Sequence, residues 1–411
     1  MQAVAEQVAT LNTNTRYLHP HMTLLAERLC QTLPDPLEVV FFCNSGSEAN
    51  DLALRLARAY SGGSLNTICI DGGYHGHTLA TLDVSPYKYE HATECPLVSP
   101  AQDGTFPSPG KHIWQVPCPD IYRGPHRDIR TAGAAYAHYV QQACQHYTSI
   151  GQKVRAFIVE GGMSVAGVIL PPPGYLQRCI EAVHQAGGLY IADEVQTGFG
   201  RLGSCFWAFQ YQHEQDETAA GNMDHDMVVP DIVTMGKPFG NGMPLAAVVT
   251  SRKVADAFDA CGVEYFNTFG GNPVCAAAGL AVLDVIQEEN LPARALEVGS
   301  YLKSKLIELQ QQIDLIGHVR GSGLFLGIEL VRDRHTLEPA SAETSFVCSV
   351  LKSKYQILSS IDGLHENVLV VKPPMVFSRE DADYFVESLQ SAVQKDLSEA
   401  KDLTSLAKTP T

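Results

Sequence analysis

The sequence lacks long apolar runs and lacks an excess of basic charge. No stretch reaches the roughly eighteen consecutive apolar residues that a membrane-spanning helix needs, so we expect no membrane partner. The 29 Lys and Arg residues are outnumbered by 45 Asp and Glu residues, which gives a formal net charge of −16. A protein this acidic repels nucleic acid, and we therefore expect no nucleic-acid partner.

The sequence also lacks any Cys-x-x-Cys pair and any Asn-x-Ser/Thr glycosylation sequon. An odd number of scattered cysteines, 11 in a chain of 411 residues, indicates free thiols in a reducing compartment rather than a disulfide framework. The first ten residues form an amphipathic helical pattern without the apolar core of a signal peptide or the basic character of a transit peptide. We expect an intracellular protein, cytoplasmic or mitochondrial.

Short apolar runs alternate with longer helical patterns through most of the chain. Most of the apolar runs show no alternation, which is typical of strands in a sheet that is covered on both faces. The runs that predict strands are Val39–Phe42, Thr67–Ile70, Ala156–Val159, Leu189–Ala192, Ile232–Met235 and Leu245–Val249. Helical stretches such as Glu48–Tyr60 and Tyr175–Ala186 lie between them. The alternation predicts an α/β domain with a mainly parallel sheet.

After about residue 280 the pattern changes to long helices that flank short strand-like pieces. The helices are predicted at Leu291–Gln312 and Arg379–Leu397, and the strands near Gly323–Leu330 and Val368–Val371. We predict an N-terminal remnant at 1–20, a large domain at 21–280, a smaller α+β domain at 281–400 and a tail at 401–411. Two stretches, Pro96–Gly110 and His213–Asp226, are predicted to be surface insertions because of their polar, turn-forming composition.

Lys237 stands just after the predicted strand 232–235, and Asp193 stands just after the predicted strand 189–192. Ligands of open α/β sheets bind at the carboxyl ends of the strands. A lysine that can form a Schiff base, with an acid for a pyridinium nitrogen, is the minimum set for pyridoxal phosphate chemistry. Taken alone, such a lysine is usually solvated, and such an aspartate usually caps the next helix.

A phosphate site is predicted where the segment Asn44–Asp51 follows a strand and opens a helix. Gly46 allows the backbone to turn, and Ser47 offers a hydroxyl. The first N–H groups of the helix and its positive dipole end favour an anion. The alternative is a plain serine N-cap, which has the same pattern.

Two further glycine-rich loops carry aromatic residues. In the first, Tyr74 suits a flat ring lying against it. His75 and His77 lack the carboxylate or cysteine cluster that a metal requires, so we expect structural histidines and no metal site. In the second, Thr268 offers a hydroxyl and an N–H group to a phosphate, unless the loop is an ordinary tight turn before the next helix.

The order of these segments resembles the class III, ornithine aminotransferase-like, family of pyridoxal-phosphate enzymes. The matching motifs are Asn44–Ala49, Tyr74–Gly76, Ala192–Arg201, Asp231–Gly242, Thr268–Pro273, Arg320–Phe325 and Lys372–Met375. The sequence is more narrowly similar to the phospho-lyase branch, which acts on ethanolamine phosphate or 5-phosphohydroxylysine. That narrower resemblance is carried by Leu11–His19, Ser45–Arg58, Ser85–Lys88, Asp120–Gly124 and Val371–Met375.

The resemblance implies fold type I, with a mainly parallel seven-stranded sheet in the large domain and a smaller α+β C-terminal domain. It implies that Lys237 carries pyridoxal 5′-phosphate and moves the proton, and that Asp193 pairs with the ring nitrogen. Gln196 would bond near the phenolic oxygen, and Tyr74 would stack on the ring. The other implied cofactor contacts are Gly46, Ser47, Glu160 and Thr268. Thr268 would come from the neighbouring subunit of a homodimer.

Two positions depart from the aminotransferases of this family. A second glutamate is usual in the stretch that follows Glu160, and an arginine is usual shortly before the Pro-Pro pair. These positions are Val165 and Val370 here. Because an arginine fork is the natural receptor for a carboxylate, their loss favours a phosphorylated amine over an α-amino acid. The candidates for the substrate phosphate are Arg16, Lys88, Arg123 and Lys372.

The sequence therefore predicts a homodimeric phospho-lyase that converts a phosphorylated amine to an aldehyde, ammonia and phosphate. Two alternatives stay open. One is a class III aminotransferase that uses a 2-oxo acid acceptor. The other is a catalytically impaired, truncated isoform with a non-enzymatic role, because the N-terminal segment of the family is not found before Met1.

Overall fold

The computed structural model describes residues 1–87, 112–211 and 228–400, and the short strands Ser99–Pro100 and Pro107–Ser108. The chain forms two compact units. The first comprises Met1–Gly161, Pro171–Phe199 and Trp207–Glu289, and the second comprises Gly162–Leu170, Gly200–Phe206 and Asn290–Thr411. The domain limits drawn from the sequence stay predictions. Lys88, the tail 401–411 and most of the two predicted insertions lie outside the described residues.

The first unit is built on a seven-stranded sheet. Its strands are β1 (Leu37–Cys43), β2 (Thr67–Ile70), β3 (Ile113–Val116), β4 (Ala156–Glu160), β5 (Leu189–Asp193), β6 (Ile232–Met235) and β7 (Ala246–Ser251). Their order across the sheet is β1-β7-β6-β5-β4-β2-β3, and among these seven β7 alone runs antiparallel to its neighbours. The predicted α/β architecture with a mainly parallel sheet is confirmed.

The extent to which each strand is buried explains whether the sequence predicted it. Every residue of β2, β4, β5 and β6 is buried, so these strands read as unbroken apolar runs. The sheet-edge strand β3 was not predicted, because only its first and last residues are buried and its sequence, Ile-Trp-Gln-Val, is short and partly polar.

Helices of the first unit flank this sheet. They are α1 (Gln2–Thr10), α2 (Pro20–Cys30), α3 (Gly46–Tyr60), α4 (Leu79–Asp83), α5 (Ile129–Ser149), α6 (Tyr175–Gln185), α7 (Arg252–Asp259) and α8 (Pro273–Glu288). Helix α3 begins after Ser45, whose Oγ accepts the N–H of Glu48 at 3.2 Å. Its apolar stripe packs against β6, β7 and α7.

The second unit combines helices with an antiparallel sheet of order β8-β9-β12-β11, with β10 paired to β9. Its elements are α9 (Leu291–Gln312), β8 (Ile316–Ser322), β9 (Phe325–Asp333), β10 (Glu338–Pro339), α10 (Ser341–Ser353), β11 (Ser360–Asp362), β12 (Val368–Val371) and α11 (Arg379–Ser391). The helix predicted to reach Leu397 ends its regular part at Ser391 and continues as the wider π-helical turn Ala392–Asp396.

Candidate active site

Lys237 lies directly after Gly236 at the carboxyl end of β6 and starts the short 3-10 helix Lys237–Phe239. Its backbone φ is +34°, a value that residues other than glycine rarely adopt. Its Nζ donates a hydrogen bond of 2.5 Å to Oε1 of Gln196. Gln196 belongs to the turn after β5, so the loops that follow two neighbouring parallel strands meet at the lysine.

Asp193 ends β5 and is buried. Its Oδ2 faces Nδ2 of Asn50 and Nδ1 of His75, each at 2.8 Å, and its Oδ1 accepts the N–H of Val195 at 3.1 Å. A carboxylate oxygen has two acceptor positions. Within the described residues Oδ2 is therefore fully used, while Oδ1 keeps one acceptor position.

The sequence predicts no role for Asn50 and a structural role for the loop residue His75, yet both contact Asp193. Asn50 is buried in α3, where its Oδ1 accepts the hydroxyl of Thr234 at 2.6 Å. A signal did exist for Asn50, because it is a polar residue on the otherwise apolar, sheet-facing side of a helix. No comparable signal marks His75, since its contact with Asp193 spans 118 residues of sequence.

The N-terminus of α3 lies beside the lysine. A Cβ atom added to Gly46 would come within 2.7 Å of Cγ1 of Val195, and one added to Gly236 would lie 3.3 Å from the backbone nitrogen of Gly46. The N–H groups of Gly46 and Ser47 have no acceptor among the described residues, as expected for the first turn of a helix. Two free N–H groups and the dipole of α3 thus converge where an anion can bind.

Gly76 closes the loop over this helix end. Its φ of +123° lies in the region that favours glycine, and an added Cβ would lie 2.6 Å from Oγ of Ser47. The same Oγ accepts the N–H of His77 at 3.1 Å. The loop that carries Tyr74 is therefore held directly on the first turn of α3.

Tyr74 is half-buried, and two contacts fix its position. Its backbone N–H donates to Oε1 of Glu160, at the end of β4, over 3.1 Å. Its ring packs edge-on against Tyr87 with centroids 5.0 Å apart. Burial, together with Tyr87 and Asp193, raises the pKa of the Tyr74 hydroxyl above its ordinary value.

Glu194 follows Asp193 but is used differently. Its carboxylate is buried and accepts the backbone N–H groups of Ala208 and Phe209, each at 2.9 Å. Burial raises the pKa of Glu194 to about 8, although these two hydrogen bonds act in the opposite direction. The residue therefore anchors the chain at Ala208–Gln210.

The residues predicted for the substrate phosphate lie in different parts of the chain. Arg16 is exposed and lies 5.5 Å from the ring of Phe266, and both residues line an open cleft of about 710 Å³. Arg123 is half-buried after β3, where its N–H donates to Oδ1 of Asp120 at 3.1 Å. Thr268, which is predicted to reach the cofactor phosphate of the neighbouring subunit and not the substrate, is exposed in the loop that leads to α8, and its carbonyl accepts the N–H of Thr15 at 3.1 Å.

Lys372 belongs to the second unit, where it follows β12. Its Nζ donates to Oγ of Ser164 at 2.7 Å and lies 4.0 Å from Oδ2 of Asp362. Val370 is on β12, only 3% exposed, and is paired with Gly327 and Ser360. Its side chain cannot receive a polar ligand.

Neither a metal cluster nor a membrane helix is found in the parts of the chain that the structure describes. No group of three or more His, Cys, Asp or Glu side chains is arranged there to hold a metal ion. No helix there is both long and apolar enough to cross a membrane.

Comparison with known proteins adds one family and several relatives. A family model described as aminotransferase class III matches residues 1–393. A Drosophila melanogaster protein named alanine–glyoxylate aminotransferase 2-like is 44% identical over 408 residues, which are 97% of this chain and 77% of the relative. A Caenorhabditis elegans protein named ethanolamine-phosphate phospho-lyase homolog 1 is 40% identical over 391 residues, 93% of this chain and 78% of the relative. A solved phospholyase from Arthrobacter in complex with phosphoethanolamine has a TM-score of 0.82 and 34% identity, covering 96% of this chain and 86% of its own.

Proposed function

Because this chain belongs to the class III aminotransferase family of fold type I pyridoxal-phosphate enzymes, we propose that it is a phospho-lyase. The proposed substrate is a small phosphorylated amine, ethanolamine phosphate or 5-phosphohydroxylysine. The products are an aldehyde, ammonia and inorganic phosphate. The cofactor is pyridoxal 5′-phosphate.

The replacement of the expected carboxylate receptor carries this proposal. Val370 stands where aminotransferases of the family usually have an arginine, and its side chain is buried between neighbouring strands. Val165 replaces the usual second glutamate. An α-amino acid substrate needs a fixed cation for its carboxylate. A phosphorylated amine has no such requirement at the reacting amine.

The names of two relatives support the same reaction. The Caenorhabditis elegans relative is named for ethanolamine-phosphate lyase activity, and the Arthrobacter phospholyase was solved with phosphoethanolamine. The name of the Drosophila relative favours the second candidate, a transaminase that passes an amino group to a 2-oxo acid. The two reactions share the cofactor and differ in whether phosphate is released.

The described residues fit pyridoxal phosphate through the donors and acceptors that they offer. The free N–H groups of Gly46 and Ser47, at the positive end of α3, suit its phosphate. The remaining acceptor position of Asp193 suits a protonated ring nitrogen. Gln196 and Lys237, joined by a hydrogen bond, supply a polar side chain and an amine at the same strand ends.

Two further contacts prepare the site for a flat ring. Tyr74 offers a half-buried aromatic face, and Glu160 holds the backbone of Tyr74 at the end of β4. We propose that the ring lies against Tyr74 and that Glu160 acts through this backbone contact.

Bound pyridoxal phosphate supplies an electron sink for the carbon that loses a proton. Lys237 is the proposed base, because its Nζ is an amine that Gln196 holds at the strand ends. It removes a proton from the amine-bearing carbon of the substrate. The C–O bond on the neighbouring carbon then breaks, and phosphate leaves with the bonding electrons. Overall, ethanolamine phosphate and water give acetaldehyde, ammonia and phosphate.

Positive side chains are proposed to receive the substrate phosphate. The candidates remain Arg16, Lys88, Arg123 and Lys372. Among them, Lys372 already contacts Ser164, and Asp362 lies close to its ammonium. Each is testable by replacement with glutamine and measurement of KM for the phosphorylated amine.

We further propose a homodimer in which Thr268 reaches the cofactor phosphate of the partner subunit. Phe266 lies two residues before Thr268 and Phe269 directly after it, and these two side chains are 53% and 55% exposed in the single chain. Two large aromatic side chains exposed this close together are typical of a surface that a partner covers.

The test is an assay without any 2-oxo acid. Purified holoenzyme is mixed with ethanolamine phosphate or with 5-phosphohydroxylysine, and phosphate and ammonia are measured. The proposal expects equal amounts of the two products and no release by Lys237→Ala. Amino-group transfer that requires a 2-oxo acid and releases no phosphate would establish the transaminase instead. Absence of both reactions and of visible cofactor absorbance would point to the non-enzymatic role.

A further inference from the structure

The Oδ1 atom of Asp193 keeps one acceptor position within the described residues. The residues that bond the rest of this carboxylate determine the direction in which that position points. We propose that Asn50 and His75 are positioning residues that orient the carboxylate of Asp193 toward the cofactor. Ser85 in turn fixes the backbone of His75. This inference rests on the proposed cofactor contact of Asp193 and extends it to three residues that do not bind the cofactor themselves.

The amide of Asn50 has one possible orientation. Its Nδ2 donates to the carbonyl of His75 and to Oδ2 of Asp193, both at 2.8 Å, and its Oδ1 accepts the hydroxyl of Thr234. A flipped amide would place its oxygen against two groups that only accept hydrogen bonds. Asn50 therefore presents a fixed donor to one side of the carboxylate.

His75 supplies the second donor. Its Nδ1 lies 2.8 Å from Oδ2 of Asp193, and since an ionised carboxylate only accepts hydrogen bonds, we place the proton on Nδ1. Its Nε2 is buried and has no hydrogen-bond partner in the described part of the chain. The contact with Asp193 is thus the single polar contact of the imidazole ring there.

Ser85 connects this contact to one of the segments that carry the resemblance to the phospho-lyase branch. Its buried Oγ accepts the N–H of His75 at 2.8 Å and donates to the carbonyl of Thr81 at 2.6 Å. Two residues later, Tyr87 packs on the ring of Tyr74. The segment therefore supports both the stacking tyrosine and the histidine beside Asp193.

Two donors on Oδ2 fix the plane of the carboxylate and leave Oδ1 to bond the ring nitrogen. Without them the carboxylate can rotate about its last side-chain torsion, which is soft and broad. Small displacements at a reacting site reduce rates by up to about 100-fold. Because neither Asn50 nor His75 is assigned a substrate contact, their loss should change kcat and cofactor affinity rather than KM.

The experiment compares two replacements of His75. His75→Val removes the donor, while His75→Asn keeps an N–H near the position of Nδ1. We expect His75→Val to weaken cofactor binding to the apoprotein and to lower kcat, each by about 10- to 100-fold, with KM within about twofold. His75→Asn should recover most of both losses. Asn66→Leu, which removes a partly buried amide that bonds Gln152 and Lys153 instead of Asp193, is the matched control for Asn50→Leu.

Three readouts separate positioning from plain folding. Cofactor affinity is measured by titration of apoprotein, kcat and KM by phosphate release, and the stability of the apoprotein by thermal unfolding. If His75→Val and His75→Asn lose the same cofactor affinity, or if both differ from wild type only in thermal stability, the inference is wrong.

Asp193→Asn distinguishes this failure from failure of the proposed function. If Asp193→Asn binds cofactor as wild type does, the proposed role of Asp193 itself is wrong. If Asp193→Asn weakens binding while His75→Val and Asn50→Leu do not, only the positioning inference is overturned. The titration stays informative even if the enzyme proves to be a transaminase.

Discussion

At the scale of single residues, Gly76 shows how closely the loop that carries Tyr74 lies against the first turn of α3. Its φ is positive, and an added Cβ would lie 2.6 to 2.8 Å from three atoms of Ser47, so any side chain there meets the proposed phosphate site. Gly63 offers a comparison within the same unit. Its φ is also positive, at +97°, but an added Cβ meets nothing within 4 Å.

We predict that Gly76→Ala and Gly63→Ala differ in cofactor binding. Both should lose stability through backbone strain, on the order of 1 kcal/mol. Gly76→Ala alone should also weaken cofactor binding, by at least about tenfold, because its methyl group displaces Ser47. Fluorescence titration of the two apoproteins measures this. Equal cofactor affinities of the two variants would show that the loop around Gly76 moves to accommodate the methyl group without disturbing the proposed phosphate site.

Lys237→Ala should remove turnover while leaving the fold intact. Loss of a general base typically costs about 10² to 10⁴ in rate, and loss of covalent attachment adds to this. Lys352→Ala, which removes an exposed lysine of α10, is the control and should be unaffected. Phosphate release and the visible spectrum of the bound cofactor are the measurements. Turnover by Lys237→Ala near the wild-type rate would contradict the assigned role.

The sequence placed Lys237, Asp193, Gln196 and Tyr74 at strand ends, where local patterns and the family resemblance agree. Their roles stay predictions, although the structure brings the groups together. Asn50 could not be linked to Asp193 beforehand, because the contact joins residues 143 positions apart. Hydrogen bonds between distant side chains leave no periodic signal in a sequence.

At the scale of elements, Glu194 ties the end of β5 to the turn Ala208–Gln210. The carboxyl is fully buried, and the pKa of about 8 in the folded protein exceeds the ordinary value of 4.5. A carboxyl with a raised pKa stabilises the fold while it is protonated. This stabilisation is complete below about pH 4.5 and is lost as the pH rises through about 8.

We therefore predict that the wild-type free energy of unfolding falls more steeply between pH 5 and pH 8 than that of Glu194→Gln. Each pKa unit is worth about 1.4 kcal/mol, so a difference of at least about 1 kcal/mol should accumulate over this range. Urea unfolding at several pH values gives both curves. Parallel curves would mean that the pKa of Glu194 is the same in the folded protein and in the unfolded chain.

Elements with strong patterns were predicted, and weakly patterned ones were not. The buried strands were identified because every residue in them is buried, and helix α9 was identified because its buried residues recur at helical spacing. The edge strand β3 and the π-helical turn after α11 were missed, because exposure at a sheet edge and a local change of helical pitch have no distinct residue signature.

At the scale of the whole molecule, the family and the α/β fold predicted from the sequence are confirmed. Ordered motifs spread over nearly the entire chain made this possible. The reaction is harder to predict, because it depends on a few side chains that receive the substrate. Assembly into a dimer is equally invisible to sequence periodicity.

The proposed dimer predicts complementation between two inactive chains. Lys237→Ala lacks the proposed base, and Thr268→Asp places a negative charge where the phosphate of the partner's cofactor is proposed to bind. In a mixed dimer one of the two sites combines an intact Lys237 with an intact Thr268. Random pairing of equal amounts should restore about one quarter of the sites, measured as phosphate release after the subunits are exchanged.

Mixing Lys237→Ala with Asp193→Asn is the control for this experiment. Both of these changes disable the site of their own chain, so no pairing restores one. No recovery with Thr268→Asp would show that Thr268 does not act across an interface. Recovery in the control would show that Lys237 and Asp193 of one chain do not serve the same site. Sedimentation at equilibrium should show dimers for all of these variants.

The pairing of β1 with β7 has a consequence for how the protein matures. Leu37 lies opposite Ser251 and Cys43 opposite Ala246, so strands near the two ends of the first unit must find each other. Closing so long a loop costs entropy before any contact repays it, and such pairings form slowly. Helix α3 directly follows β1 and packs against β6 and β7, so the same closure joins the N-terminus of α3 to the strand end that carries Lys237. A cofactor that binds the folded protein but not the unfolded chain shifts the folding equilibrium toward the folded protein. The abundance of the folded protein in a cell should therefore follow the supply of pyridoxal phosphate.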